Sequence, residues 1–178
     1  MIKVINRIVV ELAVGDITQQ QGYAAIVNAA NAELMPGGGV AGAIHCAAGK
    51  ELVEECKHLA PLKPGEAVMT LGYNLPNKFV IHCLGPVYGV DKPEDELLRN
   101  CYKNALRIAD ENHIVSIAFP PISTGAFGYP VEEASVTSIK TIIESTQYLK
   151  HVKFIRLVLF DQDTFLFHKK ILEFLGDD

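Results

Sequence analysis

No apolar run in the 178-residue chain approaches the ~20 residues a membrane-crossing helix needs. The first residues place short hydrophobic pairs between Lys3, Asn6, Arg7 and Glu11, so the continuous apolar core of a secretory leader is not expected there. None of the four cysteines (Cys46, Cys56, Cys83, Cys101) belongs to a Cys-x-x-Cys pair, and their spacing is irregular. That excludes a disulfide framework and reads as reduced core thiols of a cytoplasmic protein. His45 with Cys46, and Cys56 with His58, match no zinc-ligand spacing, so no metal is expected. Basic residues are also short: 16 Lys and Arg stand against 21 Asp and Glu, a formal net charge of −5. This balance argues against a broad nucleic-acid surface. An anionic ligand would instead be held by backbone N–H groups and helix ends.

What is present is the composition of a folded globular chain, 49% hydrophobic and 21% charged. The length predicts one domain over residues 1–178, able to bury about 70% of its unfolded surface. There is no internal repeat, low-complexity tract or linker. Short β-type runs fall at 8–13, 24–28, 66–72 and 78–84, the last two joined by the turn-rich Tyr73-Asn74-Leu75-Pro76-Asn77 as a hairpin. Nearly unbroken apolar runs at 115–119 and 154–160 predict central strands covered on both faces. Helical periodicity runs through Leu97, Leu98, Cys101, Tyr102, Ala105, Leu106 and Ala109, and again from Val131 to Leu149 after Pro130. A third helix is expected from about Thr164 through Phe174. Strands alternating with helices predict an α/β domain, a largely parallel sheet with helices on both faces.

Ligands of open α/β sheets gather at the carboxyl ends of the strands. Four such ends carry unusual residues: Gly15-Asp16-Ile17-Thr18, then Asn28-Ala29-Ala30-Asn31 leading to Pro36-Gly37-Gly38-Gly39, then Pro120 to Pro130, and finally Phe160-Asp161. Two of them are glycine-rich loops that each feed a helix, and such loops turn backbone N–H groups onto an anion. Two facing cradles suit a diphosphate better than a single phosphate. Neither loop fits Gly-x-Gly-x-x-Gly or Gly-x-x-x-x-Gly-Lys-Ser/Thr, which disfavours a Rossmann site or an NTPase. Ser123 lacks the flanking glycines of a nucleophile elbow, having Pro121 before it. The plainer roles stay open. The glycines could serve tight loops, Asp16 could cap a short helix, and Asn28 and Asn31 could tie a turn together.

Taken together, Gly15-Asp16-Ile17-Thr18, Ile26-Val27-Asn28-Ala29-Ala30-Asn31, Gly37-Gly38-Gly39-Val40, His82-Cys83-Leu84-Gly85-Pro86 and Pro121-Ile122-Ser123-Thr124-Gly125 with Phe127-Gly128-Tyr129-Pro130 resemble the macro domain. This is the ADP-ribose-binding α/β module, and the resemblance covers nearly the whole chain. It implies a three-layer α/β/α sandwich with a central mixed, largely parallel sheet of about six strands. In overall pattern the chain is similar to bacterial MacroD-type proteins, which remove ADP-ribose from modified side chains and deacetylate O-acetyl-ADP-ribose. By resemblance, Asp16 accepts a hydrogen bond from the adenine amino group, the Ile17 N–H sits at the ring and Phe160 stacks on it. Gly38, Gly39 and Val40 form a first phosphate loop. Ser123, Thr124, Gly125, Ala126 and Phe127 form a second, with Phe127 against the distal ribose. Asn31 binds the distal ribose hydroxyls, and Asn31 and Phe127 are the candidate catalytic residues. MacroD-type enzymes carry an aspartate where this chain has Ala41. The run Gly37-Gly38-Gly39-Val40-Ala41 instead resembles the loop of viral macro domains, which hydrolyse ADP-ribosyl esters without it. The implied activity is water-mediated hydrolysis of ester-linked ADP-ribose without a metal or redox cofactor. A non-catalytic ADP-ribose reader is the alternative. An RNA- or poly(ADP-ribose)-binding role fits the missing basic face less well.

Overall fold

In the computed structural model, which describes residues 1–176, seven strands form one sheet: β1 (Ile2–Ile5), β2 (Ile8–Val14), β3 (Ala25–Ala29), β4 (Ala67–Leu71), β5 (Phe79–Cys83), β6 (Ser116–Phe119) and β7 (Phe154–Leu159). Their spatial order is β1-β2-β7-β6-β3-β5-β4. The five inner strands run parallel, and an antiparallel strand closes each edge, β1 against β2 and β4 against β5. The described helices are α1 (Gly39–Ala48), α2 (Lys50–Cys56), α3 (Glu94–Glu111), α4 (Val131–Thr146) and α5 (Gln162–Leu175), with a 3₁₀ turn at Ile17–Gln19.

The sandwich follows from side-chain alternation on strands covered on both faces. Ala25, Val27, Ile81, Cys83, Ile117, Phe119, Ile155 and Leu157 point one way, onto α3, α4 and α5. Ile26, Val80, Ala118 and Val158 point the other way, onto α1, α2 and the 3₁₀ turn.

Two elements differ from the sequence expectation. The sheet has seven strands rather than about six, because Ile2–Ile5 pairs with β2 through a hairpin turned by Asn6 and Arg7. Both turn residues adopt positive φ, 50° and 69°, the geometry of a two-residue turn usually marked by glycine. Without glycine, and with Lys3 inside a four-residue strand, the run carries little signal. The short helix α2 is a second departure: Gly49 at φ 92° breaks it from α1, and its two buried positions, Leu52 and Cys56, give too short a stripe to mark a helix in the sequence. Cys46 is exposed, so only Cys56, Cys83 and Cys101 are core thiols.

The topology opens a crevice between β3 and β6. From β3 the chain leaves toward β5, and from β6 toward β7 on the opposite side, which is the switch point where open α/β sheets leave room for a ligand. The two strands pair only at Ala25↔Ile117 and Ile26↔Ala118, and then part. Both glycine-rich loops spring from that gap.

Candidate functional site

A cleft of about 330 Å³ lies between the loops, lined by Ala29, Ala30, Asn31, Gly37 to Ala41, Gly85, Pro121, Ile122, Ser123, Gly125, Ala126 and Phe127. No lysine, arginine, histidine or acid lines it. Its polar character comes from the main chain. Gly38 is the N-cap of α1, and the N–H groups of Gly38, Gly39, Val40 and Ala41 have no acceptor among the described residues. The same is true of the N–H groups of Ser123 to Phe127. One loop thus offers a helix N-terminus and the other a bare peptide arc, both ready for anionic oxygens.

The loops are held from outside the cleft, so these donors stay free. A β-carbon at Gly42 would overlap the Gly37 carbonyl oxygen, so the first loop folds directly onto α1. The Asn31 amide closes the segment before it, donating to the Met35 carbonyl at 2.7 Å and accepting from the Met35 N–H at 3.0 Å. In the second loop, Tyr129 N–H donates to the Ser123 carbonyl at 2.9 Å and Tyr88 N–H to the Phe127 carbonyl at 2.9 Å. The Thr124 hydroxyl turns back to the Pro121 carbonyl at 2.9 Å, so Thr124 does not line the cleft. Ser123 is 5% exposed, adopts φ 66°, and its Oγ has no partner. No base touches this hydroxyl, which removes the nucleophile-elbow reading.

Of the residues singled out from sequence, the cleft gathers Asn31, Gly38, Gly39, Val40, Ser123, Gly125, Ala126 and Phe127. Asp16, Ile17 and Phe160 stand apart from it on neighbouring strand ends, joined by a Gly15 N–H to Leu159 carbonyl bond of 3.0 Å. Asp16 Oδ1 caps the 3₁₀ turn, accepting from Thr18 N–H at 2.8 Å and Thr18 Oγ1 at 2.7 Å. Its Oδ2 and the Ile17 N–H have no partner among the described residues. Phe160 is 86% exposed, an unpartnered ring face beside them. Ala29, Ala30, Pro121, Ile122 and Gly85 were not foreseen as lining, since apolar and glycine positions carry no chemical signal in sequence.

Behind the first loop lies a buried polar chain. Asn28 Nδ2 donates to His82 Nδ1 at 3.1 Å, so His82 Nε2 carries the proton and donates to Thr70 Oγ1 at 2.8 Å. Burial, with His45 nearby, pushes the His82 pKa down to about 3. The folded value lies below the ordinary one of 6.5, so this contribution to stability is complete above that pH and is lost as pH falls toward 3. At pH 5 the loss should reach about 2 kcal/mol. Urea unfolding at pH 7 and pH 5 measures it, and NMR titration should find the ring still neutral at pH 5 in the folded protein. Among the described residues no group of three or more His, Cys, Asp or Glu side chains could hold a metal.

A family model for the macro domain matches residues 27–137. The chain belongs to the macro domain family. It is 42% identical to an O-acetyl-ADP-ribose deacetylase of Klebsiella pneumoniae over 91% of this chain and 95% of that one. It is 44% identical to the human ADP-ribose glycohydrolase MACROD2 over 95% of this chain and 40% of that longer one. A solved variant of the Oceanobacillus iheyensis macrodomain with ADPR superimposes with a TM-score of 0.95 at 39% identity, covering 100% of this chain and 99% of that one.

Proposed function

We propose that this chain, as one macro domain over residues 1–178, binds ADP-ribose and hydrolyses its esters to acidic side chains or to acetate. The observation that carries the reading is the pair of unbonded amide arcs on opposite walls of one cleft, with no cationic side chain between them. A diphosphate fits such a site because backbone donors and a helix end hold anionic oxygens without the cost of ordering long side chains. Gly38, Gly39 and Val40 would hold one phosphate, and Ser123, Gly125, Ala126 and Phe127 the other. Asp16 Oδ2 and the Ile17 N–H would read the adenine edge, and Phe160 would stack on its face.

Asn31 faces the distal end. Met35 uses one hydrogen of its Nδ2 and one lone pair of its Oδ1, leaving one of each for ribose hydroxyls. Ala126 and Phe127 shape that end. A water would add there, its oxygen bonding to the ribose carbon as the bond from that carbon to the acyl oxygen breaks; free ADP-ribose and a carboxylate would leave, and the water's second proton would pass to solvent. The contribution of the protein is placement, which by itself can lower a barrier substantially. The viral-like first loop belongs to this reading, since Ala41 supplies no base.

A second reading has its own support. The cleft lining contains no titratable side chain, as a non-catalytic reader of ADP-ribosylated proteins would. Single-turnover release of labelled ADP-ribose from a glutamate-modified protein separates the two. The enzyme reading expects release, and binding without release establishes the reader. In the enzyme, Asn31→Ala should lower the single-turnover rate by about tenfold while changing ADP-ribose affinity less, because orientation matters most at the moment of attack. An unchanged rate would move the chemistry away from Asn31.

A further inference from the structure

The segment that would read the base is braced by residues of β2 and β7. Gln20 is buried, and its Nε2 donates to the Asp16 carbonyl at 2.6 Å. Its Oε1 accepts from Arg156 Nη1 at 2.9 Å. Arg156, on β7, is held in turn by Glu11 of β2, whose Oε2 accepts from Nε and Nη2, each at 2.8 Å. The guanidinium also lies 4.3 Å from the centre of the Tyr23 ring, whose hydroxyl donates to the same Glu11 oxygen at 3.3 Å. Asn77 Nδ2 fixes the main chain at the other end, donating to the carbonyls of Gln20 at 2.8 Å and Tyr23 at 2.7 Å.

We propose that Gln20, oriented by Arg156, is a positioning residue that sets the adenine selectivity of the site. The inference rests on the ADP-ribose reading. Its physical basis is the planarity of the peptide joining Asp16 to Ile17, in which the carbonyl and the N–H point in opposite directions. The Asp16 carbonyl is held toward Gln19 and Gln20 by the Gln20 amide and by Gln19 N–H at 3.0 Å. The Ile17 N–H of the same peptide is therefore aimed away from those residues and is unpaired among the described residues, as is the adjoining Asp16 Oδ2. One acceptor next to one donor matches the amino group and ring nitrogen of adenine. Hypoxanthine presents the opposite pair, an oxygen and a ring N–H, and is mismatched at both positions. Gln20 contacts no ligand in this scheme. It acts by holding the peptide plane against rotation.

The test compares ADP-ribose with its hypoxanthine counterpart by calorimetry, in the wild type, Gln20→Met and Gln20→Glu. Met conserves volume but removes both hydrogen bonds. Glu keeps a partner for Arg156 and cannot donate to the Asp16 carbonyl. Both variants should bind ADP-ribose about five- to tenfold more weakly and bind the hypoxanthine ligand within about twofold of wild type, so that selectivity falls. Thermal unfolding checks that each is folded, and Gln20→Glu decides if Gln20→Met is not. A merely structural role would weaken both ligands together, and an unchanged affinity ratio in the folded variants overturns the proposal. A wild type that binds both ligands equally also overturns it, while leaving the ADP-ribose reading in place. A wild type that binds neither overturns the functional reading itself.

Discussion

Ala41→Asp should raise the single-turnover rate on ADP-ribosyl glutamate by about 10²-fold, the low end for a positioned general base, and weaken the binding of free ADP-ribose. Ala41 lies in the first turn of α1, is 6% exposed and lines the cleft just past the glycines. A carboxylate there would face a water near the distal ribose. The helix N-terminus favours its ionised form, by about 0.3–1 kcal/mol at exposed sites. Against this stands repulsion from the diphosphate, about 1 kcal/mol at 4 Å in water and larger where water is excluded. The repulsion acts on bound ligand generally, whereas the base acts on the transition state, so rate and affinity should move in opposite directions. Rate at saturating enzyme and ADP-ribose affinity measure the two separately. A flat rate with falling affinity would show that this pocket places its water by another route.

Gly42→Ala should cost about 2–3 kcal/mol in ADP-ribose affinity, roughly 30- to 150-fold. Alanine is the better helix former and would by itself favour α1 by about 1 kcal/mol. The collision of its β-carbon with the Gly37 carbonyl outweighs that gain, because the obstacle is backbone and cannot rotate away. The loop must lift from α1, and the Gly38 and Gly39 N–H groups lift with it. Calorimetry gives the affinity and thermal unfolding the effect on the fold. Wild-type affinity in a folded Gly42→Ala protein would show that the first loop is not a phosphate cradle.

Much of this arrangement is legible in the residues themselves. Apolar alternation and unbroken runs mark β2, β3, β4, β5, β6 and β7, and the stripe from Leu97 to Ala109 marks α3. The two glycine loops beside helix starts are visible in the sequence, which leaves open whether they serve an anion or only a tight turn. These are local properties, determined by a residue and its near neighbours along the chain.

Other features depend on contacts between distant residues. The strand β1 exists because Asn6 and Arg7 accept positive φ in a hairpin that β2 stabilises, which no glycine announces. The Asn31 side chain serves Met35 as well as the cleft, so the turn-tying role and the site role are both available to one amide. Thr124 sits in the second loop by sequence, yet its hydroxyl turns inward to Pro121. The brace from Glu11 through Arg156 and Gln20 to Asp16 joins positions 145 and 136 residues apart. Sequence alone determined which backbone is glycine-rich and leads into a helix. Only the parting of β3 from β6, and the outside bonds that leave nine amide groups unsatisfied, decided that it faces a cleft: hydrogen-bond partners are assigned by the packed sheet, not by neighbours in the chain.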